Sequence, residues 1–144
     1  MSSRLNPNVA ALERAYARWR DTKGGSADEV LALFDDQVEM RSVLTDEMPS
    51  ELAGSHISKQ QAAEYFAALA RDWEMIYWDV YQIIADGAEG DDVVVISRCA
   101  WRNRATGKEV DTPKVDIWHF ENGKATRFSE VFDSLAFARA VGAV

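Results

Sequence analysis

Apolar positions change period along this chain, and the changes mark its elements. Val9, Leu12, Tyr16 and Trp19 recur at helical spacing and form one stripe. Asn6 followed by Pro7 supplies a cap and a first helical residue, and Gly24-Gly25 ends the helix. Ser26 with Glu29 reads as a capping box for a second, short helix whose inward residues are Val30, Leu33 and Phe34. Residues 37–43 form a short strand. Residues 44–57 have no clear period and contain Pro49 and Gly54; this irregular connection is either a cover for a site or a solvated loop. Ser58 and Gln61 repeat the capping pattern ahead of a third helix with Ala62, Tyr65, Phe66 and Leu69 inside.

Beyond residue 73 the period becomes two. Strands are expected over 74–86, 92–104, 108–121 and 124–132, then a last helix over 135–141 capped by Asp133-Ser134. Asn122-Gly123 between the last two strands is the dipeptide of a type I′ hairpin. Asp116, Trp118 and Phe120 share one strand face before it, and Phe128, Glu130 and Phe132 share one after it. Two acids therefore sit among aromatics at positions the alternation assigns to an interior. A carboxyl group there is costly unless paired, protonated or in use.

Three helices followed by an antiparallel meander make an α+β domain spanning residues 1–144. The long strands are apolar on both faces. A curved sheet wrapped round a pocket, dimerising through its outer face, accommodates that pattern.

Composition narrows the partners. Apolar and charged fractions of 47% and 28% belong to a globular chain, and a formal charge of −8 disfavours nucleic acid and anionic membranes. No apolar run approaches a membrane span and no leader is evident, which points to the cytoplasm. Cys99 stands alone and reads as a small buried hydrophobe. His56 and His119 lack ligand spacing, so no metal is expected; residues 87–90 lack the strand–loop–helix context of a phosphate loop, so no nucleotide cofactor is expected. His119 alternates with Trp118 and should point outward, to the surface or a dimer interface.

Ala32-Leu33-Phe34 followed by Asp35-Asp36, Gly54-Ser55-His56 before the third helix, and the hairpin from Val115 to Lys124 carry a family resemblance. The chain resembles the nuclear-transport-factor-2-like superfamily, in its ketosteroid isomerase and SnoaL-like polyketide cyclase branch. That resemblance implies a cone-shaped α+β roll around a deep, mostly apolar cavity, in a homodimer. It matches Tyr16 to the isomerase tyrosine that donates to the substrate oxyanion, and Asp116 to the aspartic acid held protonated beside it. The isomerase's general base falls on Ser42, with Arg41 adjacent, so that role is unfilled. Glu130 is similar in place to the water-activating aspartate of the limonene epoxide hydrolase branch. That branch's Arg-x-Asp pair reads Arg98-Cys99-Ala100 here, so epoxide hydrolysis is not implied.

The candidate catalytic set is Tyr16, Asp116 and Glu130, with Trp19, Trp118, Phe120 and Phe128 as apolar lining and Ser42 and His56 as polar contacts for a substrate. Other readings stand beside these. Tyr16 also suits a plain core position, Asp116 an ion pair with Lys114 at a cavity rim, and Glu130 either a solvated strand end or a pair with Arg127 or Arg98. Three functions follow: cofactor-independent proton transfer on a hydrophobic cyclic or polyketide-like molecule, binding of an apolar ligand without chemistry, or a dimeric protein-binding scaffold.

Overall fold

A computed structural model describes residues 6–144. Helix α1 (Pro7–Asp21) opens on Asn6, whose side-chain oxygen accepts from the amides of Asn8 and Val9. The same side chain's amide donates to the carbonyls of Gly87 and Gly90, 2.8 and 3.1 Å away, so the cap also ties the helix to a distant loop. The helix closes through Lys23 and Gly24, both at positive φ. A Cβ at Gly24 would come within 3.2 Å of the Trp101 ring, so glycine there serves both the turn and the close approach.

Helix α2 (Ala27–Leu31) is shorter than the pattern suggests. The Ser26 side chain makes no capping bond, and Glu29 pairs with Arg18 at 3.0 Å instead of reaching back. Phe34 is not on this helix. It begins strand β1 (Phe34–Ser42), because its neighbour Leu33 already accepts a sheet bond from the amide of Ala125 at 2.7 Å. Strand β2 (Ser55–His56) forms inside the irregular segment and pairs with β1, while Leu44 and Leu52 turn into the core. Helix α3 (Lys59–Asp72) is capped by the Ser58 hydroxyl; Gln61 reaches back to the amide of Ile57 rather than that of Ser58.

Strands β3 (Trp73–Ala85), β4 (Asp92–Asn103), β5 (Glu109–Glu121) and β6 (Lys124–Val131) form the meander, and α4 (Ser134–Ala140) follows, capped by Asp133. Asn122 and Gly123 both lie at positive φ, as a type I′ turn requires. The sheet order is β2-β1-β6-β5-β4-β3, antiparallel throughout except that β1 runs parallel to β6. The sheet is curved and unclosed, with α1 packed on β3 and α3 on β1. Among the described residues no helix is long and apolar enough to cross a membrane.

Register decides what meets inside. Asp116 faces Glu130 across β5–β6, Trp118 faces Phe128, and Lys114 faces Ser97 on β4. The strict alternation of burial along β5 turns Val110, Thr112, Lys114, Asp116, Trp118 and Phe120 inward together. A lysine and an acid thus enter the core with the aromatics, and the next question is what neutralises them.

Candidate active site

Lys114 and Asp116 stand two apart on β5 and so project on the same side of the sheet. The Lys114 ammonium lies 2.5 Å from Asp116 Oδ1 and 3.1 Å from Glu130 Oε1, bridging the two acids. All three side chains are buried, at 10%, 4% and 3% exposure. Each acid also accepts from a phenol. Tyr16 of α1 donates to Asp116 Oδ2 at 2.5 Å, and Tyr65 of α3 donates to Glu130, 2.8 and 2.9 Å from its two oxygens. Trp118 Nε1 donates in turn to the Tyr16 oxygen at 3.0 Å. The result is one unbroken chain of contacts, Trp118–Tyr16–Asp116–Lys114–Glu130–Tyr65, drawn from two helices and two strands.

Electrostatics follow from that wiring. Burial pulls the Lys114 ammonium toward neutrality, but the charges of Asp116 and Glu130 outweigh it and hold the lysine above its ordinary value. The ammonium also sits 5.4 Å from the Trp78 ring centre and 5.9 Å from that of Phe128, within cation–π range. Burial is the largest cause raising the Tyr16 hydroxyl well above its usual range, and the Asp116 charge adds to it. Tyr65 is raised the same way, by burial and then by Glu130. Both phenols therefore stay protonated and donating. Burial also pushes the Cys99 thiol up to about 12.

The chain runs along the wall of a cavity of about 100 Å³. Tyr16, Trp19, Asp116, Trp118, Phe128 and Glu130 line it, as do Lys114, Tyr65, Trp78 and Trp101. Leu52 contributes from the irregular segment, and Phe137, stacked on Trp73 at 5.1 Å, contributes from α4. A second, more open hollow of about 310 Å³ lies between α1 and β3 and shares the Tyr16 and Trp78 walls.

Several expected positions fall elsewhere. Phe120 is fully buried and stacks on Trp118 at 5.8 Å, behind the lining rather than in it. Ser42 sits at the end of β1, and its hydroxyl accepts from the amide of Leu44, a turn contact off the cavity. His56 is held by β2 at the sheet edge and reaches the Tyr65 ring edge-on at 5.4 Å, one shell out from the cavity. Glu130 pairs with Lys114, not with Arg127 or Arg98; Arg98 is engaged by Asp111 at 2.9 Å on the outer face. The Lys114–Asp116 pair exists but is buried in the wall, not set at a rim. The Tyr16 hydroxyl donates its hydrogen bond to Asp116, so the two do not donate side by side into the cavity as the resemblance implied.

Tyr65 is the member that the sequence pattern assigns only to the core. Its stripe on α3 looks apolar throughout, and the hydroxyl's partner lies 65 residues away. Outward-pointing His119 instead meets Asp92 at 2.7 Å. Among the described residues no group of three or more His, Cys, Asp or Glu side chains is placed to hold a metal ion.

A model of the SnoaL-like domain matches residues 12–128 of the chain. The sequence matches none of the curated proteins. Among solved structures, a nuclear-transport-factor-2-like protein of unknown function from Burkholderia pseudomallei is similar with a TM-score of 0.77 and 21% identity, over 93% of this chain and 96% of that one. TerC, co-crystallised with polyporic acid, is similar with a TM-score of 0.74 and 23% identity, over 95% and 99%. A protein from a Jannaschia species described as a candidate SnoaL-like polyketide cyclase gives 0.69 and 20%, over 95% and 92%. At these identities the likeness is one of fold.

Proposed function

Because the chain belongs to the SnoaL-like domain family, we propose that its cavity takes a hydrophobic cyclic or polyketide-like molecule and that the buried charges move a proton on it, in an isomerisation, cyclisation or dehydration. The observation that carries this reading is the Lys114 bridge between Asp116 and Glu130 in the cavity wall. A buried ion pair is rarely worth its desolvation as a structural device, since an apolar trio of similar volume often does as well or better. Placed on a cavity, it has a chemical use.

Glu130 is the base in this scheme: it takes a proton from carbon next to a carbonyl. Negative charge leaves the glutamate and develops on the substrate oxygen, beside the Lys114 ammonium. Asp116, fixed by Tyr16, keeps that ammonium in place while its second carboxylate partner is neutralised. Ammonium groups aimed at developing oxyanions are among the largest contributors to such catalysis. No cofactor enters the scheme. Turnover of keto-bearing polycyclic substrates by the wild-type protein, with loss of about 10²–10⁴ in rate in Glu130→Gln, is the expected result for removal of a general base; equal rates in the two proteins would contradict it.

The binding reading without chemistry has its own support. Both Glu130 oxygens already accept from Tyr65, and Ser42 stands where the resemblance places a base. Under that reading polycyclic ligands raise the melting temperature and nothing is turned over. In either case the outer sheet face, with Ile117 and Val131 exposed, suits a second copy of the chain, and sedimentation as a dimer is the expected behaviour.

A further inference from the structure

The cavity as it stands is smaller than the molecules proposed for it. Its volume of about 100 Å³ is less than the roughly 150 Å³ that takes a benzene, and pockets for drug-sized ligands measure about 300–1,000 Å³. A wall has to give way. Most of them are fastened from within. Tyr16 and Tyr65 tie α1 and α3 to the buried acids, and the strands are held by their ladders. Residues 44–57 are held by β2 against β1 and by the Gly54 amide, which donates to the Leu44 carbonyl at 2.8 Å. Helix α4 is fastened differently. Among the described residues, its own amides bond only within residues 133–143. Two threonine hydroxyls latch it from β5 and the β4–β5 turn: Thr112 accepts from the Asp133 amide at 2.9 Å, and Thr106 donates to the Ala140 carbonyl at 2.6 Å. The Lys108 ammonium approaches the Arg139 carbonyl at 3.5 Å. Between the latches Phe137 points inward and stacks on Trp73 in the cavity wall.

Resting on the cavity as a small-molecule site, we propose that α4 is its door: the helix turns outward about Phe132-Asp133, withdraws Phe137, and stays out while a ligand larger than one ring is bound. Phe132 and Asp133 belong to neither helix nor ladder, so they can absorb the turn. Phe137 is then the side chain that limits ligand size. Opening breaks two threonine hydrogen bonds and one aromatic stack but no ladder bond, so it costs less than unfolding the sheet.

Cys99 reports the door without any ligand. It is the sole cysteine, lines the same cavity and pairs with Thr112 across β4–β5. While the door is shut its thiol is 1% exposed and pushed up to about 12, and so is inert. Its labelling by methyl methanethiosulfonate is compared with global unfolding in urea, for wild type, Thr106→Val, Thr112→Val and Asn6→Ala. Asn6 ties α1 to the β3–β4 loop, at the far end of the strands, so its loss loosens the fold and not the door. Wild-type Cys99 should react at least about tenfold faster than global unfolding allows. Each threonine variant should quicken labelling about fivefold, the equivalent of one hydrogen bond, and Asn6→Ala should leave it unchanged. Wild-type labelling at the global rate, threonine variants no faster than wild type, or Asn6→Ala quickened as much as they are, overturns the door. 9-Fluorenone supplies a second reading by calorimetry. Thr106→Val should bind it about fivefold tighter than wild type, because more of the protein is already competent; equal or weaker binding overturns the claim that a large ligand keeps α4 out. Failure of both proteins to bind any ketone would count against the cavity as a small-molecule site, and the thiol rates would then decide the door alone.

Discussion

Asp116 and Glu130 face each other directly across the β5–β6 ladder, and the Lys114 ammonium between them is the charge that makes that juxtaposition tolerable, with one phenol donating to each acid. Like charges opposite one another in a sheet are destabilising, and burial removes the water that would screen them. Lys114→Met keeps the volume and removes the charge. It is expected to lower stability by about 3–5 kcal/mol, the usual effect of orphaning buried charges. Urea unfolding should show that loss, and Asp116→Asn in the same protein should recover part of it. A Lys114→Met variant as stable as wild type would mean the bridge does not hold.

The two phenols act on different acids, and their removal should be separable. Tyr16→Phe leaves Asp116 with Lys114 alone, and Tyr65→Phe leaves Glu130 likewise. Each is expected to lose about 1.5–3 kcal/mol, the range for hydrogen bonds to charged groups. The double variant should depart from the sum, because both acids share one ammonium. Equilibrium unfolding of the four proteins in a double-mutant cycle measures this directly; strict additivity would show the two halves to be independent.

How much of this was legible beforehand depends on range. Asn122-Gly123 and the alternation through Asp116, Trp118 and Phe128 are local signals, and they placed the hairpin and its inward face. The spacing of Val30, Leu33 and Phe34 suits a helix as well as the approach to a strand, and only pairing with Ala125 on β6 decides for the strand. Strand β2 is two residues long and carries no pattern, so His56 could not be set at a sheet edge in advance. Lys114 was visible as a same-face neighbour of Asp116. Its reach to Glu130 depends on the β5–β6 register, and Tyr65 joins only through the packing of α3.

Alkaline pH should unfold the protein earlier than its acidic composition suggests. Cys99, Tyr16, Tyr65 and Lys114 all have folded values raised above their ordinary 9.0, 10.0, 10.0 and 10.5. Above each ordinary value the unfolded chain releases a proton that the folded one retains, so the unfolded state binds fewer protons and stability falls as pH rises. Their contribution is complete below pH 9. It then declines by about 1.4 kcal/mol per pH unit for each titrating group, Cys99 first. Cys99→Ala should move the onset of that decline from near pH 9 to near pH 10. Melting temperatures taken at intervals from pH 8 to 11 test this, and an unchanged onset in Cys99→Ala would contradict it.

Asn6 carries two tasks with one side chain, capping α1 and holding the β3–β4 loop. A lost cap alone costs about 0.5–2 kcal/mol. Asn6→Asp keeps the capping oxygen but loses the donor to Gly87 and Gly90, whereas Asn6→Ala loses both. Stability should therefore fall in both variants, because in Asn6→Asp a second carboxylate oxygen meets the carbonyls of Gly87 and Gly90, acceptor against acceptor, in a buried position. Amide exchange in residues 87–91 should quicken in both variants; unchanged exchange there would assign Asn6 to capping alone.

Carbon-bound proton exchange in deuterated water tests the central claim most directly, because it needs no knowledge of the natural product. Wild-type protein is incubated with 1-tetralone and with steroid and polycyclic ketones, and deuterium appearing next to the carbonyl is followed by NMR. The account predicts exchange above the buffer rate for at least one of them, falling about 10²–10⁴ in Glu130→Gln and about 10²–10³ in Lys114→Met at a temperature where both are folded. Exchange no faster than buffer across the set, or equally fast in Glu130→Gln, would contradict proton transfer at this site.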